Sequence, residues 1–557
     1  MTITEQVNQW VSQDPDPSTR AELTDLLERS STDEAAMAEL EDRFAGSLQF
    51  GTAGLRGAMA AGPNRMNRAV VLTAAHGLIG YLTSRLDQPV VVIGSDARHH
   101  SRQFALDTAA VVTAAGGTAL LLPSQSPTPL LAFAVRHLNA DAGVMVTASH
   151  NPAIDNGYKV YLGGRMVTEP ERGAQIVPPY DAQIAGFIAA APPANQIPLA
   201  EGWTDLGGEV LEAYLSAICA GPAPDAAIRI VHTAMHGVGS APALAAFSRA
   251  GFMDVHPVAS QREPDPRFPT VKFPNPEEPG AIDLALDLAR EVDPDVVIAN
   301  DPDADRCAVA VLDPRSGWRM LQGDELGSIL GEEIARGPAS GVLVNSIVSS
   351  RQLAVIAASH DWPYQHTLTG FKWMGRVPGL AYAYEEAIGY CVRPDLVHDK
   401  DGLSTALAVA RLVARLKALG ATVIDLLDDL ARRHGLYLCS QLSHRVDDLA
   451  QIPQIMAHLR AEAPKALAGA RVTAVSDLAL GYDGLPPTDG LVWLTEEDDR
   501  VIVRPSGTEP KVKCYLEVIR PVDPKASFAQ LTALRSEAAG RLSQIASQVR
   551  EALLAGV

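Results

Sequence analysis

Three short stretches carry the groups that could do chemistry. In VMVTASHNP (144–152), a buried strand of Val144, Met145 and Val146 opens into a polar turn presenting Ser149 and His150. Pro152 disfavours helical angles at Asn151. A serine at the mouth of a buried strand is a candidate nucleophile, although a Ser-His turn by itself reads as a turn and nothing more. In DPDADR (301–306), Asp301, Asp303 and Asp305 recur at spacing two. Alternate side chains of an extended segment share one side, and Pro302 keeps the segment out of a helix. Three carboxylates on one side suit a hard cation such as Mg²⁺ and leave coordination positions for phosphate oxygens. A calcium EF-hand is excluded, because Arg306 and Leu312 stand where that loop requires Gly and Glu. A solvated acidic loop is the plain alternative; the apolar strand Val296-Val297-Ile298 argues against it by delivering the loop to a sheet end.

The third stretch, RPSGTEPK (504–511), follows the strand VIV. Arg504 and Lys511 bring charge, Ser506 and Thr508 bring hydroxyls, and Gly507 lets backbone N–H groups approach a ligand, which makes a phosphate cradle without a Walker lysine. FGTAGLRG (50–57) is weaker. Thr52 and Arg56 could meet a phosphate with a hydroxyl and a bidentate fork, and a plain glycine turn fits equally well. The proline-rich stretch 261–280 reads either as a functional loop or as a mobile surface excursion.

The elements that must position these groups alternate. Residues 1–45 read as two polar helices forming a peripheral cover. From residue 69, helix VLTAAHGLIGYL, strand PVVVIG, a helix stopped by Gly116 and Gly117, strand TALLLP and a proline-started helix lead to the Ser149 strand. This rhythm predicts a largely parallel sheet covered by helices, in which ligands gather beyond the carboxyl ends of the strands. A second α/β unit ends in DVVIAN and the aspartates. A third contains TLTGFKWMG, YEEAIGY and DKDG (399–402). The last has strands near 490–495, 500–503 and 512–519 and a long helix, 527–554.

At 557 residues the chain exceeds one core. A hydrophobic share of 47% and a charged share of 20% are those of a soluble globular protein. The formal net charge of −20 argues against a nucleic-acid surface, not against a small anionic ligand in a basic pocket. Five scattered cysteines form no C-x-x-C pair, which points to a reducing cytoplasm. The N-terminus lacks the basic and apolar regions of a signal peptide, and no segment is long and clean enough to span a membrane.

TASHNP, DPDADR, the paired glutamates of YEEAIGY, and RPSGTEPK occur in this order in the α-D-phosphohexomutases, the superfamily of phosphoglucomutases and phosphomannomutases. The chain resembles them from FGTAGLRG to its last domain. The resemblance implies an α/β fold of four domains around a central cleft. Three would be similar α/β domains with mixed, mostly parallel sheets, and the C-terminal one an α+β, TATA-binding-protein-like domain. We place the domains at 1–203, 204–315, 316–432 and 433–557. It implies that Ser149 is a phosphoserine and that Asp301, Asp303 and Asp305 bind one Mg²⁺ together with a phosphoserine oxygen. Arg504, Ser506, Gly507, Thr508 and Lys511 would hold the non-reacting phosphate. Glu385 would read sugar hydroxyls, with Glu386, Gly370 and Thr52 also in the substrate site. Arg56, His150, Lys159 and Arg306 would line the reacting centre. Lys372, in GFKW, matches a proposed general base, with a phosphate-pairing lysine as the alternative.

The activity so implied is a cytoplasmic, monomeric or homodimeric phosphosugar mutase. It would interconvert hexose 1- and 6-phosphates (glucose, mannose or both) through a hexose bisphosphate that serves as intermediate and activator. Many relatives place serine in the sugar-reading loop, where this chain has Ala387, and Y/F-E-E-A-I-G-Y resembles the branch that includes phosphopentomutases. Pentose phosphates therefore stay open. So does a phosphatase or bisphosphate-forming phosphotransferase on the same scaffold. A non-catalytic sensor fits poorly with an intact Ser149 and aspartate triad.

Overall fold

The computed structural model describes residues 1–446, 448–506 and 511–556. The chain forms two compact units. The first comprises Met1–Ala310, Phe371–Tyr382 and Gly389–Ala418, and the second Val311–Gly370, Ala383–Ile388 and Leu419–Val557.

The first unit begins with three helices where two were expected: Ile3–Gln13, Pro17–Arg29 and Glu34–Phe44. The extra break lies at Asp14-Pro15-Asp16-Pro17. Pro17 occupies a first helical turn, where its missing N–H costs nothing, and Asp16 caps it by accepting from Ser18 N at 2.9 Å. Val7, Leu23, Leu26 and Leu40 bury their side chains together as a small core.

The main sheet runs in the order Leu55–Ala58, Asp155–Leu162, Ala142–Val146, Val90–Ser95, Thr118–Leu121, Thr204–Asp205, with Ala174–Gln175 pairing beside Asp155–Leu162. Its centre is parallel, as the alternation predicts. Asp155–Leu162 returns antiparallel, bringing Lys159 opposite Met145. Val91, Ile93, Val144 and Val160 enter one core with Leu72, Leu78 and Val112 from the helices Arg68–Thr83 and Ser101–Ala114. A second sheet sets Val296–Ala299 parallel to Arg229–Thr233 and antiparallel to the residues from Ala308. The helix Gly402–Ala418 packs against the helices Ser240–Arg249 and Glu209–Cys219 beside it.

The second unit contains a parallel pair, Val342–Ser346 with Tyr364–Thr367. It also holds an antiparallel sheet ordered Leu436–Arg445, Lys511–Arg520, Arg500–Pro505, Leu491–Thr495, Ala470–Asp477, Ala466–Leu467. Alternation sorts that sheet's two faces. Val501 and Val503 join the core under the helices Gln451–Ala461 and Phe528–Leu554, while Ile502 packs with Ile347 and Val348. Among the described residues, no helix is long and apolar enough to cross a membrane.

Candidate active site

The aspartate loop is not the extended segment its spacing suggested. Beyond Val296–Ala299 the chain turns, with Ala304 in the left-handed region (φ 56°) and its N–H donating to Asp301 O at 2.9 Å. The turn converges the three carboxylates more tightly than a strand would, and one ligand oxygen from each lies within 4.8 Å of the others. Two glycines allow the close approach that holds it. A Cβ on Gly237 would sit 2.3 Å from Pro302 Cα, and one on Gly402 would sit 2.2 Å from Arg306 O. Val238 N donates to Pro302 O, and Asn300 Nδ2 to Arg306 O.

Ser149 lies just past the strand Ala142–Val146, also with a left-handed backbone (φ 54°), its N–H bound by Thr147 Oγ1. Its Oγ donates to Asp301 Oδ2 at 2.9 Å and lies 3.2 Å from His150 Nδ1. Lys159 Nζ donates to Asp303 Oδ2 and Asp305 Oδ2, each at 2.8 Å. Arg306 Nε stands 3.9 Å from both Asp301 and Asp305. Arg56 reaches Asn151 Oδ1 at 3.3 Å. Lys372, in the short helix Phe371–Met374, donates to Thr52 Oγ1, so two expected site residues far apart in sequence meet.

Two residues that the sequence reading did not assign join this group. Thr128 Oγ1 donates to Asp303 Oδ2 at 2.7 Å, and Lys400 Nζ lies 3.4 Å from Asp305 Oδ2. Lys400 was visible as the cation of the DKDG segment. Thr128 had no signal beyond a proline-flanked helix start.

The electrostatics follow from burying like charges. Burial, then repulsion from Asp303 and Asp305, pushes the Asp301 pKa well above the usual carboxylate value. Burial works the same way on Asp305, but Lys159, Lys400 and Arg306 outweigh it and hold that acid ionised. Burial opposes the Lys159 charge, and Asp303 with Asp305 more than restores it. His150 is pushed well below the usual imidazole value by loss of water and by Arg306 and Arg56, so its ring is neutral at pH 7. Among the described residues, Asp303 Oδ1 and Asp305 Oδ1 are buried without a hydrogen-bond partner. Three buried carboxylates with converging oxygens, two of which keep an oxygen without such a partner, form a donor set that fits a divalent, oxygen-preferring cation.

The second unit holds a different group. Glu385 ends the strand Leu380–Glu385 half-buried. Glu386 Oε2 accepts from Ser346 Oγ and Ser349 Oγ, both at 3.1 Å. Arg504 stands near the end of Arg500–Pro505, beside the buried Tyr515 hydroxyl. Ser506 N donates to Lys511 O at 2.9 Å, closing the base of the RPSGTEPK loop. Gly370 has a left-handed φ of 106°. Gly507 and Thr508 lie outside the described residues.

Four phosphoglucomutase/phosphomannomutase domain signatures match in order. Alpha/beta/alpha domain I covers 47–185, domain II 212–314, domain III 322–434 and the C-terminal domain 445–530. A probable phosphomannomutase of Haemophilus influenzae is 45% identical over 467 residues, covering 83% of this chain and 94% of its own. The phosphopentomutase of Mus musculus is 33% identical over 580 residues, covering 93% and 90%. A putative phosphomannomutase structure from Thermus thermophilus superposes with a TM-score of 0.66 at 25% identity, covering 88% of this chain and 99% of that one.

Proposed function

The chain belongs to the phosphoglucomutase/phosphomannomutase family of phosphomutases, isomerases of the intramolecular phosphotransferase kind, and on that premise we propose that it interconverts the 1- and 6-phosphates of a hexose through a phosphorylated Ser149. The observation that carries the reading is Ser149 Oγ at 2.9 Å from Asp301, within a buried carboxylate triad that retains two oxygens without a hydrogen-bond partner among the described residues.

In the forward step the bond between phosphorus and Ser149 Oγ breaks, and a bond from phosphorus to a sugar hydroxyl oxygen forms. The proton of that hydroxyl passes to a base, for which Lys372 and a neutral His150 are the candidates in this chain. The product is a bisphosphate. The reverse transfer from its other phosphate restores phosphoserine and releases the isomer. Phosphoryl transfer depends on positioning and on spreading negative charge. Lys159, Arg306 and Arg56 bring positive charge to the phosphoryl oxygens. Asp301, Asp303 and Asp305 would hold Mg²⁺, which supplies electrostatic stabilisation of the transferring group. Arg504, Ser506 and Lys511, with Gly507 and Thr508, would bind the phosphate that is not transferred. Glu385 would accept hydrogen bonds from sugar hydroxyls, while Glu386, held by two serines, fixes the loop that carries it. Thr52 and Gly370 complete the proposed substrate set.

A pentose 1- and 5-phosphate substrate is the second reading. Ala387 favours it, because the loop offers no hydroxyl there. Phosphorus NMR of glucose 1-phosphate, mannose 1-phosphate and ribose 1-phosphate, each with a trace of its bisphosphate, separates the two. A hexose 6-phosphate signal appearing fastest supports the first, a ribose 5-phosphate signal the second. Inorganic phosphate accumulating without isomer would replace both with a phosphatase.

A further inference from the structure

One guanidinium gathers the whole turn that carries Ser149. Arg98 follows the strand Val90–Ser95 and is buried. Its Nη2 donates to Ser149 O at 2.7 Å and to Asn151 O at 2.5 Å, and its Nη1 to Pro152 O at 2.8 Å and Asp155 O at 3.1 Å. Asp96 lies 3.4 Å from its Nε and is itself fixed by Ser101 Oγ at 2.6 Å. The Phe268 ring covers the guanidinium, 5.0 Å from centroid to Cζ, and is only 4% exposed.

Phe268 belongs to the proline-rich stretch 261–280, which is a built segment and not a loose excursion. Gln261 is fully buried and bonds Thr233 Oγ1 at 2.6 Å and Thr270 Oγ1 at 2.9 Å. His236 Nε2 lies 2.8 Å from Thr270 Oγ1, and Asp265 N donates to His236 O. Further along, Glu277 stands 3.9 Å from Arg306.

We propose that Arg98 is a positioning residue for phosphoryl transfer, and that residues 261–280 act as a strap that seats its guanidinium through Phe268. The inference rests on the reading of Ser149 as the phosphoryl carrier. The reason is geometric. Ser149 occupies a backbone region that non-glycine residues adopt only when their surroundings over-determine it. Four carbonyls converging on one planar fork supply that constraint, and a lysine ammonium cannot reproduce the fork. The ring above it excludes water and adds a cation–π attraction that lasts only while the strap is closed.

The test compares Arg98→Lys, Phe268→Leu and Phe268→Tyr in the full-length protein. It measures kcat and KM for a sugar phosphate with added bisphosphate, and amide hydrogen exchange. Arg98→Lys is expected to lose about 100-fold in kcat with KM changed less than about threefold, since a displacement near 1 Å is enough for that loss. Phe268→Leu is expected to lose about three- to tenfold, the worth of the lost cation–π contact, and Phe268→Tyr to match the parent. In both impaired variants exchange should accelerate at 147–156 and stay unchanged in the helix Arg68–Thr83. Unchanged exchange at 147–156 in Phe268→Leu would overturn the strap. Exchange rising equally in both regions, or kcat in Arg98→Lys within about threefold of the parent, would overturn the positioning role. The exchange result is independent of Ser149 chemistry, so an active Ser149→Ala protein would remove the proposed function without touching the clamp.

Discussion

Two clusters of acids, one in each unit and largely buried, are neutralised in different ways. Around Asp301, Asp303 and Asp305, lysine and arginine side chains compensate the charge, yet two carboxylate oxygens have no hydrogen-bond partner among the described residues. Around Asp324, Glu386 and Glu517, the acids are met by hydroxyls, backbone N–H groups and two arginines. Glu517 Oε1 accepts from Ser350 Oγ and Arg351 N at 2.8 Å, Oε2 accepts from Arg351 Nε at 2.6 Å, and Arg500 lies 3.4 Å away. Asp324 accepts from Ser350 N and Tyr384 Oη. Leaving a buried acceptor unmet costs free energy that folding does not otherwise return. The first cluster therefore has the character of a ligand site, and the second that of a joint fixing the 346–351 turn and the Glu386 loop.

The contrast can be broken by substitution, starting with the largest effect. Ser149→Ala should lower turnover by roughly ten-thousand-fold or more even with added hexose bisphosphate, as loss of a covalent carrier does, without lowering the melting temperature. Near-parental turnover would show that the hydroxyl beside Asp301 is not the phosphoryl carrier. Asp303→Asn should raise the Mg²⁺ concentration for half-maximal activity at least about tenfold. A metal titration superimposable on the parent's would make the first cluster structural too. Glu517→Gln should do the reverse, costing about 3 kcal/mol in denaturant unfolding by stranding Arg351 and Arg500, with metal dependence untouched. Arg504→Ala should raise KM roughly tenfold or more through loss of a charge-assisted phosphate contact, with a smaller change in kcat. An unaltered KM would move the second phosphate elsewhere.

The smallest effect concerns pH. Burial, with Glu386 and Glu517 nearby, pushes the Asp324 carboxyl up to about 7 against the hydrogen bond from Ser350 N. The folded state then binds this proton more tightly than the unfolded chain does. The stability it contributes is complete below the unfolded carboxylate pKa near 4 and is lost as pH rises toward 7. Asp324→Asn keeps an acceptor for Ser350 N and cannot ionise, so its unfolding free energy should lose that decline between pH 4 and 7. An unchanged slope in paired denaturation curves would place the proton elsewhere.

The groups proposed for the chemistry lie in short loops, which stand out in the sequence because each concentrates its groups within six to nine residues. The aspartate triplet, the Ser149 turn, the RPSGTEPK stretch and the alternating strands and helices all rest on local constraints, namely side-chain period, proline angles and glycine access. Local reasoning went wrong where a long-range contact chose the backbone. Spacing alone suggests an extended 301–305, and the turn forms because Gly237 and Gly402 admit the chain closely and Ala304 tolerates a left-handed angle. The extra N-terminal break was readable from Pro17 and its aspartate cap.

Sequence alone therefore determined which groups this protein has and the family it belongs to, because residue types and their local order are written in the chain. Tertiary structure decided which of them meet. Lys400 and Thr128 at the aspartates, Lys372 at Thr52, and Arg98 under Phe268 are each brought together across 95 or more residues. Packing chooses such pairings, and no local propensity encodes a distance of that length.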